Sequence, residues 1–263
     1  MDEERLLPSY PLVFRTLEAR QVQRITPRMV RAIFGGPELE GFISGAADDH
    51  IKVFFPLTQG ERPVMGPVAE GVERSPSRDY TPRSFDAERG ELTIDFVIHG
   101  SGPASTWAEN AKPGDFLGVA GPRGSRVVSD EEPWYFFAGD ETALPSIGRR
   151  LEELPTGATA IAIIEVASPE EEQDLRSAAD VSVTWAHRNG ADAGATSLLL
   201  EAIRALDLPA GDGAFWLAGE AATLRDIRRH LINERGIARE QLRFNGHWKR
   251  GTANHDHHEP IEE

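Results

Sequence analysis

The stretch of this chain best equipped for chemistry is Arg78-Asp79-Tyr80-Thr81-Pro82-Arg83, two arginines bracketing a Tyr-Thr pair, with Ser84-Phe85 directly after it. Guanidinium groups are planar multi-donor forks matched to phosphate oxygens, an aromatic ring can stack on a planar heterocycle, and a hydroxyl can reach a ring nitrogen. Those are the requirements of a flavin dinucleotide. Pro82 removes a backbone donor and biases Thr81 toward an extended conformation, so the run is expected as a strand end or extended segment. An edge strand with solvated arginines would carry the same residues, so the motif has to be weighed with its neighbours.

Some twenty residues on, Asp95-Phe96-Val97-Ile98-His99-Gly100-Ser101-Gly102-Pro103-Ala104-Ser105-Thr106-Trp107-Ala108 reads as a strand running into a Gly/Pro/Ser turn that opens a short helix. Small residues at a helix amino terminus let backbone N–H groups approach a diphosphate, and Ser105 can add a hydroxyl. A plain turn with a capping serine gives the same letters. Clamp and cradle together suit one ligand with a ring at one end and a diphosphate in the middle. His99, alone at a strand end, is more often a hydrogen-bonded structural residue than an acid–base catalyst.

A third segment, Asp140-Glu141-Thr142, stands where a strand gives way to a helix. Its carboxylates favour the helix dipole but repel a dinucleotide phosphate, and Asp and Thr are also good caps. No GxGxxG occurs to mark a dinucleotide fold independently. The tail His255-Asp256-His257-His258-Glu259 has metal-ligand residue types, yet its terminal position favours a polar tail, and no metal site is assigned.

The elements that must position these groups fall into two styles. From Leu12 to about Gly100, short alternating runs (Leu12–Phe14, Val30–Phe34, Ile51–Phe55, Leu92–Ile98) punctuated by Gly and Pro predict a small antiparallel barrel, with a surface loop over Gly60–Ser77. From Pro133 strands and helices alternate. Strands are expected at Trp134–Ala138, Ala158–Val166, Val181–Trp185, Phe215–Ala218 and Leu242–Phe244, and helices over about Ala143–Glu153, Ala195–Ala205 and Ala221–Arg235. Such alternation predicts a parallel sheet with helices on both faces. The boundary falls near Asp130.

Composition excludes several function classes. The 263 residues carry a formal charge of −15, which disfavours nucleic acid and anionic membrane as partners. Residues 1–130 hold 15 Lys/Arg against 19 Asp/Glu, and residues 131–263 hold 13 against 24. There is no cysteine, so disulfides, thiolate metal sites and Cys-ligated clusters are excluded, and redox chemistry must ride on an organic cofactor. The first residues lack a basic stretch followed by an apolar one, and no 18-residue apolar run occurs; the expected location is the cytoplasm.

With Pro113-Gly114-Asp115, Gly121-Pro122-Arg123-Gly124-Ser125, Ala138-Gly139-Asp140-Glu141-Thr142-Ala143-Leu144-Pro145, Trp216-Leu217-Ala218-Gly219-Glu220 and Gly246-His247-Trp248-Lys249-Arg250-Gly251, these segments resemble the siderophore-interacting protein family over about residues 10 to 255. The family's closing motif more often has Tyr where this chain has His247. The resemblance implies FAD-dependent ferric-siderophore reductases related to ferredoxin reductases: an FAD-binding β-barrel domain over 1–130 and an NAD(P)-binding-like α/β domain with a C-terminal tail over 131–263. It also implies that Arg78 and Arg83 contact FAD phosphate or flavin, and that Tyr80 and Thr81 lie beside the isoalloxazine. By the same resemblance Val97 and His99 line the ring, Gly102, Ala104, Ser105 and Trp107 hold the diphosphate and adenosine side, and Trp248 packs near the flavin. Asp95, Asp140 and Thr142 complete the cofactor set.

An anionic ferric chelate needs local positive charge on so acidic a chain. Lys52, alternating with Ile51 and Val53, Arg188 at the end of the third parallel strand, and Lys249 and Arg250 in the closing motif are the expected rim. NADH or NADPH is the expected donor, with ferredoxin as the alternative partner; the chain is expected to act as a monomer. Electron transfer through flavin requires no catalytic acid or base of the protein. Competing readings are a general NAD(P)H:flavin or ferredoxin-type reductase with a protein partner, and a non-catalytic siderophore-binding module.

Overall fold

The computed structural model describes residues 9–126, 131–253, 255 and 261. The chain divides into two compact units, Met1–Ser129 and Asp130–Glu263.

The first unit contains strands β1 (Phe14–Thr26), β2 (Met29–Gly35), β3 (Ile51–Phe54), β4 (Ser77–Tyr80), β5 (Ser84–Asp86) and β6 (Glu91–Val97), helix α1 (Pro103–Asn110) and strand β7 (Phe116–Ala120). They form one seven-stranded antiparallel sheet in the order β4-β3-β7-β1-β2-β6-β5. Alternation puts Leu92, Ile94 and Phe96 of β6 inside, with Ile51 and Val53 of β3, while Lys52 faces out. The edge strands β4 and β5 are consecutive in sequence, joined by Thr81-Pro82-Arg83 alone. The four steps from Tyr80 to Ser84 reach about 14 Å at most, so the sheet has to curl until its two edges approach. The segment that carries the arginine-tyrosine motif bridges those edges.

Two strands escape the sequence pattern. β1 continues from Phe14 to Thr26 although residues 20–25 are largely exposed, because it is held by its ladder to β2, with irregularities at Ala19/Gln21 and Arg24/Thr26. Alternation of hydrophobicity is absent there, so periodicity does not reveal it. β7 lies between the two turn motifs Pro113-Gly114-Asp115 and Gly121-Pro122, too short to stand out beside them.

The second unit contains β8 (Tyr135–Asp140), α2 (Leu144–Glu153), β9 (Thr159–Val166), β10 (Asp180–His187), α3 (Leu198–Ala205), β11 (Ala214–Glu220), α4 (Ala221–Arg229) and β12 (Leu242–Trp248). The sheet is parallel throughout, in the order β10-β9-β8-β11-β12. Every residue of β8 is buried, as expected of a strand covered on both faces. β9 and β10 are linked by a 3-10 turn at Pro169–Glu171, where no helix was expected, and the helix expected over Ala221–Arg235 instead widens after Arg229 into a π-helical turn, His230–Glu234. Because the strands are parallel, Asp140, Glu165, Arg188, Glu220 and Trp248 all gather at the carboxyl edge, and strand order reverses between β8 and β11, where open α/β sheets usually bind ligands.

Candidate functional site

In the first unit the closing segment of the barrel is built on one buried carboxylate. Asp95 accepts a bidentate pair of hydrogen bonds from Arg31 Nε and Nη2, both 2.7 Å, and Arg83 Nε stands 4.0 Å from its Oδ2. Asp95 is 3 % exposed and Arg83 is tethered a second time by its backbone N–H to Thr93 O at 2.9 Å. Asp95 therefore positions two guanidinium groups; placing it among direct cofactor contacts is corrected by this pairing. Arg78 Nη1 donates to the carbonyl of Ser77 at 2.7 Å, and Thr81 is half-buried. The Tyr80 ring leans on Phe96 (centroids 4.8 Å) and Phe55 (6.2 Å), and burial pushes its hydroxyl well above the usual phenol range against the opposing charge of Arg78. A neutral phenol beside Arg78 is thus a fixed hydrogen-bonding group, not a titrating one.

The cradle is also assembled, with a different division of labour from the one the sequence suggests. Ser105 Oγ accepts from His99 N–H at 2.9 Å and donates to His99 O at 2.8 Å, so this buried hydroxyl closes the Gly/Pro/Ser loop on itself. It is committed to the loop and not to a diphosphate. Trp107 is 2 % exposed within the barrel core, stacked on Phe34 (centroids 5.9 Å) and tilted against Phe96 (5.3 Å), which corrects its placement on the adenosine side. Val97 ends β6 with its carbonyl 3.2 Å from His99 Nδ1, and the His99 ring is exposed. What remains open is the amino end of α1. Gly102 caps it without a side chain, an added Cβ there would meet nothing within 4 Å, and Thr106 N–H donates to Gly102 O as the first helical bond. Ala104 and Ser105 N–H groups, in the first turn, have no intrahelical acceptor. Since α1 packs against β4 and β6, the structure brings cradle and clamp together. Arg78, Tyr80, Thr81 and Arg83, with this open helix end, fit a flavin dinucleotide.

The second unit treats its expected site residues otherwise. Asp140 Oδ1 accepts from Thr142 N–H (2.9 Å) and its Oδ2 from Glu220 N–H (3.0 Å) and Trp248 Nε1 (2.8 Å). Thr142 Oγ1 also donates to Asp140, and His247 Nδ1 lies 3.3 Å from that hydroxyl. Asp140, Thr142 and Trp248, expected to face a cofactor, instead bind one another. Burial first, then Glu141, pushes the Asp140 carboxyl up to about 6, against the hydrogen bonds of Thr142 and Trp248. Glu220, whose residue type and spacing carry no signal of a role, caps α4 by accepting from Thr223 N–H at 2.7 Å and also accepts from Arg250 N–H at 3.2 Å.

The expected rim divides. Arg188 is removed from it: its side chain is 1 % exposed and donates to both oxygens of Glu141 and, at 3.2 Å, to Glu165. Burial opposes its charge, but those two carboxylates more than offset this and hold the guanidinium above its ordinary value. Lys52 is exposed, on the other unit, and donates to Asp79 at 2.8 Å. Lys249 and Arg250 are exposed in a tight turn closed by the Lys249–Thr252 bridge, with Arg250 Nη2 3.4 Å from Asp192. Among the described residues no group of three or more His, Asp and Glu is arranged to hold a metal; most of the His-rich tail lies outside them.

Comparison with known proteins bears on the family and the fold. Residues 18–126 match the family model of the siderophore-interacting FAD-binding domain, and residues 132–251 that of the siderophore-interacting protein. The chain is 37% identical over 243 residues to the NADPH-dependent ferric-chelate reductase of Escherichia coli, covering 86% of this chain and 92% of that one. It is 33% identical over 254 residues to the ferric vibriobactin reductase ViuB of Vibrio cholerae, covering 93% of each. Among solved structures, a siderophore utilization protein from T. fusca superposes with a TM-score of 0.87 at 44% identity, over 96% of this chain and 98% of the other.

Proposed function

Because the chain belongs to the siderophore-interacting protein family, we propose that it is a ferric-siderophore reductase in which FAD mediates electron transfer from NADPH or NADH to siderophore-bound Fe(III), with release of Fe(II). Bound flavin supplies the means to accept two electrons together and deliver them singly. The protein's share is positional. Arg78 and Arg83 meet phosphate or flavin oxygens, Tyr80 and Thr81 sit beside the ring, and the first-turn N–H groups of α1 receive the diphosphate. Lys249 and Arg250 meet the anionic chelate. Reduction releases iron because hard oxygen donors hold Fe(III) far better than Fe(II), so the metal–oxygen bonds dissociate and no covalent bond within the siderophore has to be cleaved.

The single observation that supports this most is the open amino end of α1 packed beside the β4 clamp. Among the described residues no helix is long and apolar enough to cross a membrane, and the cytoplasm is the proposed location. The test is anaerobic spectroscopy of the purified chain. Flavin absorbance should bleach with NADPH or NADH and return on adding a ferric siderophore while a chelator traps Fe(II). A chain that binds no flavin, or whose bleached flavin ignores every ferric chelate, refutes the reading.

A further inference from the structure

The carboxyl edge of the parallel sheet, where a dinucleotide's diphosphate would be sought, is filled by the protein's own acidic groups. At the order reversal between β8 and β11, three backbone donors placed where a phosphate could approach are Thr142 N–H, Glu220 N–H and Thr223 N–H. All three already donate to carboxylates, the first two to Asp140 and the third to Glu220. The Trp248 indole N–H donates to Asp140 as well.

The glycines of this edge are used in the same inward way. A Cβ on Gly139 would stand 2.3 Å from Ala218 O, one on Gly219 would stand 2.7 Å from Asp140 Oδ2, and one on Gly194 would stand 2.9 Å from both the Trp248 ring and Glu220. In phosphate-binding turns small residues make room for the ligand. Here they make room for Asp140, Trp248 and a neighbouring strand. The cavity left among Asp140, Glu165, Glu220, Gly194 and Thr223 measures about 10 Å³, enough for one water molecule and not for a phosphate. Charge agrees with shape. Four carboxylates, Asp140, Glu141, Glu165 and Glu220, stand along this edge; the buried guanidinium of Arg188 pairs with Glu141 and Glu165, while the Arg250 side chain turns to Asp192.

Resting on the reductase reading above, we infer that Asp140, Glu220 and Trp248 determine donor specificity by exclusion: the chain takes a reductant by its redox-active end, without gripping a diphosphate–adenylate half at the β8–β11 edge. The residues here do not fit a dinucleotide in the usual pose of such sheets. The compatible donor class is a reduced nicotinamide recognised through its ring and proximal ribose.

The experiment uses the whole flavin-loaded chain and three probes: 2′,5′-ADP, inorganic pyrophosphate and reduced nicotinamide mononucleotide. Neither of the first two should raise the melting temperature, bind saturably by calorimetry in the submillimolar range, or compete with NADPH. The mononucleotide should pass its hydride to the flavin, leaving the pyridinium form, within about tenfold of the NADPH rate, a difference of about 1.4 kcal/mol. Saturable 2′,5′-ADP binding, or a mononucleotide slower by more than that factor, overturns the inference. In Asp140→Ala the freed N–H groups should gain pyrophosphate binding, and a folded variant that gains none counts against it. If this variant does not fold, the wild-type titrations still decide. Dithionite-reduced chain reoxidised by a ferric chelate uses no nicotinamide, and so tests the reductase reading separately.

Discussion

Arg78 and Arg188 stand in opposite surroundings. Arg78 stands on a barrel edge strand beside a neutral Tyr80, whereas Arg188 is enclosed between Glu141 and Glu165. Arg78→Ala should weaken flavin retention by about 1–3 kcal/mol, the loss of a charge-assisted hydrogen bond, measured by titrating apoprotein with FAD; unchanged affinity would remove Arg78 from the cofactor site. Arg188→Ala leaves buried Glu165 and half-buried Glu141 without their cation, and breaking such a buried pair costs about 3–5 kcal/mol. The second unit should therefore lose stability in denaturant unfolding while the ferric-chelate KM of the folded fraction stays constant. A raised KM with unchanged stability would return Arg188 to the substrate rim. Asp140 adds a pH signature. Its proton is held more tightly folded than unfolded, so its contribution to stability is greatest in acid and is lost as pH rises from the ordinary carboxylate range through about 6. Relative to Asp140→Asn, wild type should lose on the order of 3 kcal/mol across that interval, for a shift of roughly two units; parallel stability curves would show that Asp140 does not titrate there.

At the level of elements, the glycine at a strand end is a sharper probe than a side chain. In Gly139→Ala the new methyl would meet the Ala218 carbonyl of the paired strand β11, which cannot move without breaking the ladder. Overpacking of this kind costs about 1–3 kcal/mol or more, and a lowered melting temperature with unchanged flavin affinity is the expected result. The same contrast explains what the sequence made legible. The parallel unit was readable because buried strands such as Phe136-Phe137-Ala138 alternate with amphipathic helices, a signal carried by the strand itself. The barrel was readable in β2, β3 and β6, where one face is apolar, and not along residues 20–25 of β1, where the ladder to β2 does the holding. Site residues followed a similar rule. Tyr80 and the opening of α1 were visible from residue type and spacing. Whether Asp95, Ser105, Trp107 and Arg188 face a ligand or the interior depends on partners distant in sequence, such as Arg31 for Asp95 and Glu141 for Arg188. No spacing rule carries that information.

For the whole molecule the governing quantity is charge. A formal −15, concentrated beyond residue 130, opposes an anionic ferric chelate at long range, whereas Lys249, on the proposed rim, would attract it on contact. Among the described residues the Lys249 side chain forms no hydrogen bond or ion pair, while Arg250 is drawn to Asp192 and Lys52 to Asp79. The two influences respond differently to salt, because the Debye length shrinks from about 30 Å at 0.01 M to about 10 Å at 0.1 M. Long-range repulsion is screened first; a contact pair loses strength more slowly. In wild type, kcat/KM for an anionic chelate should therefore rise modestly with added salt and then fall as the Lys249 contact is screened in turn. Lys249→Ala should keep the rise and lose the fall, with a higher KM for anionic chelates and no change for neutral ones. Measuring both chelate types across an ionic-strength series separates the terms. Equal effects of the substitution on neutral and anionic substrates would mean that Lys249 acts through shape, and the acidic surface of this chain would then have no local counterweight at its closing turn.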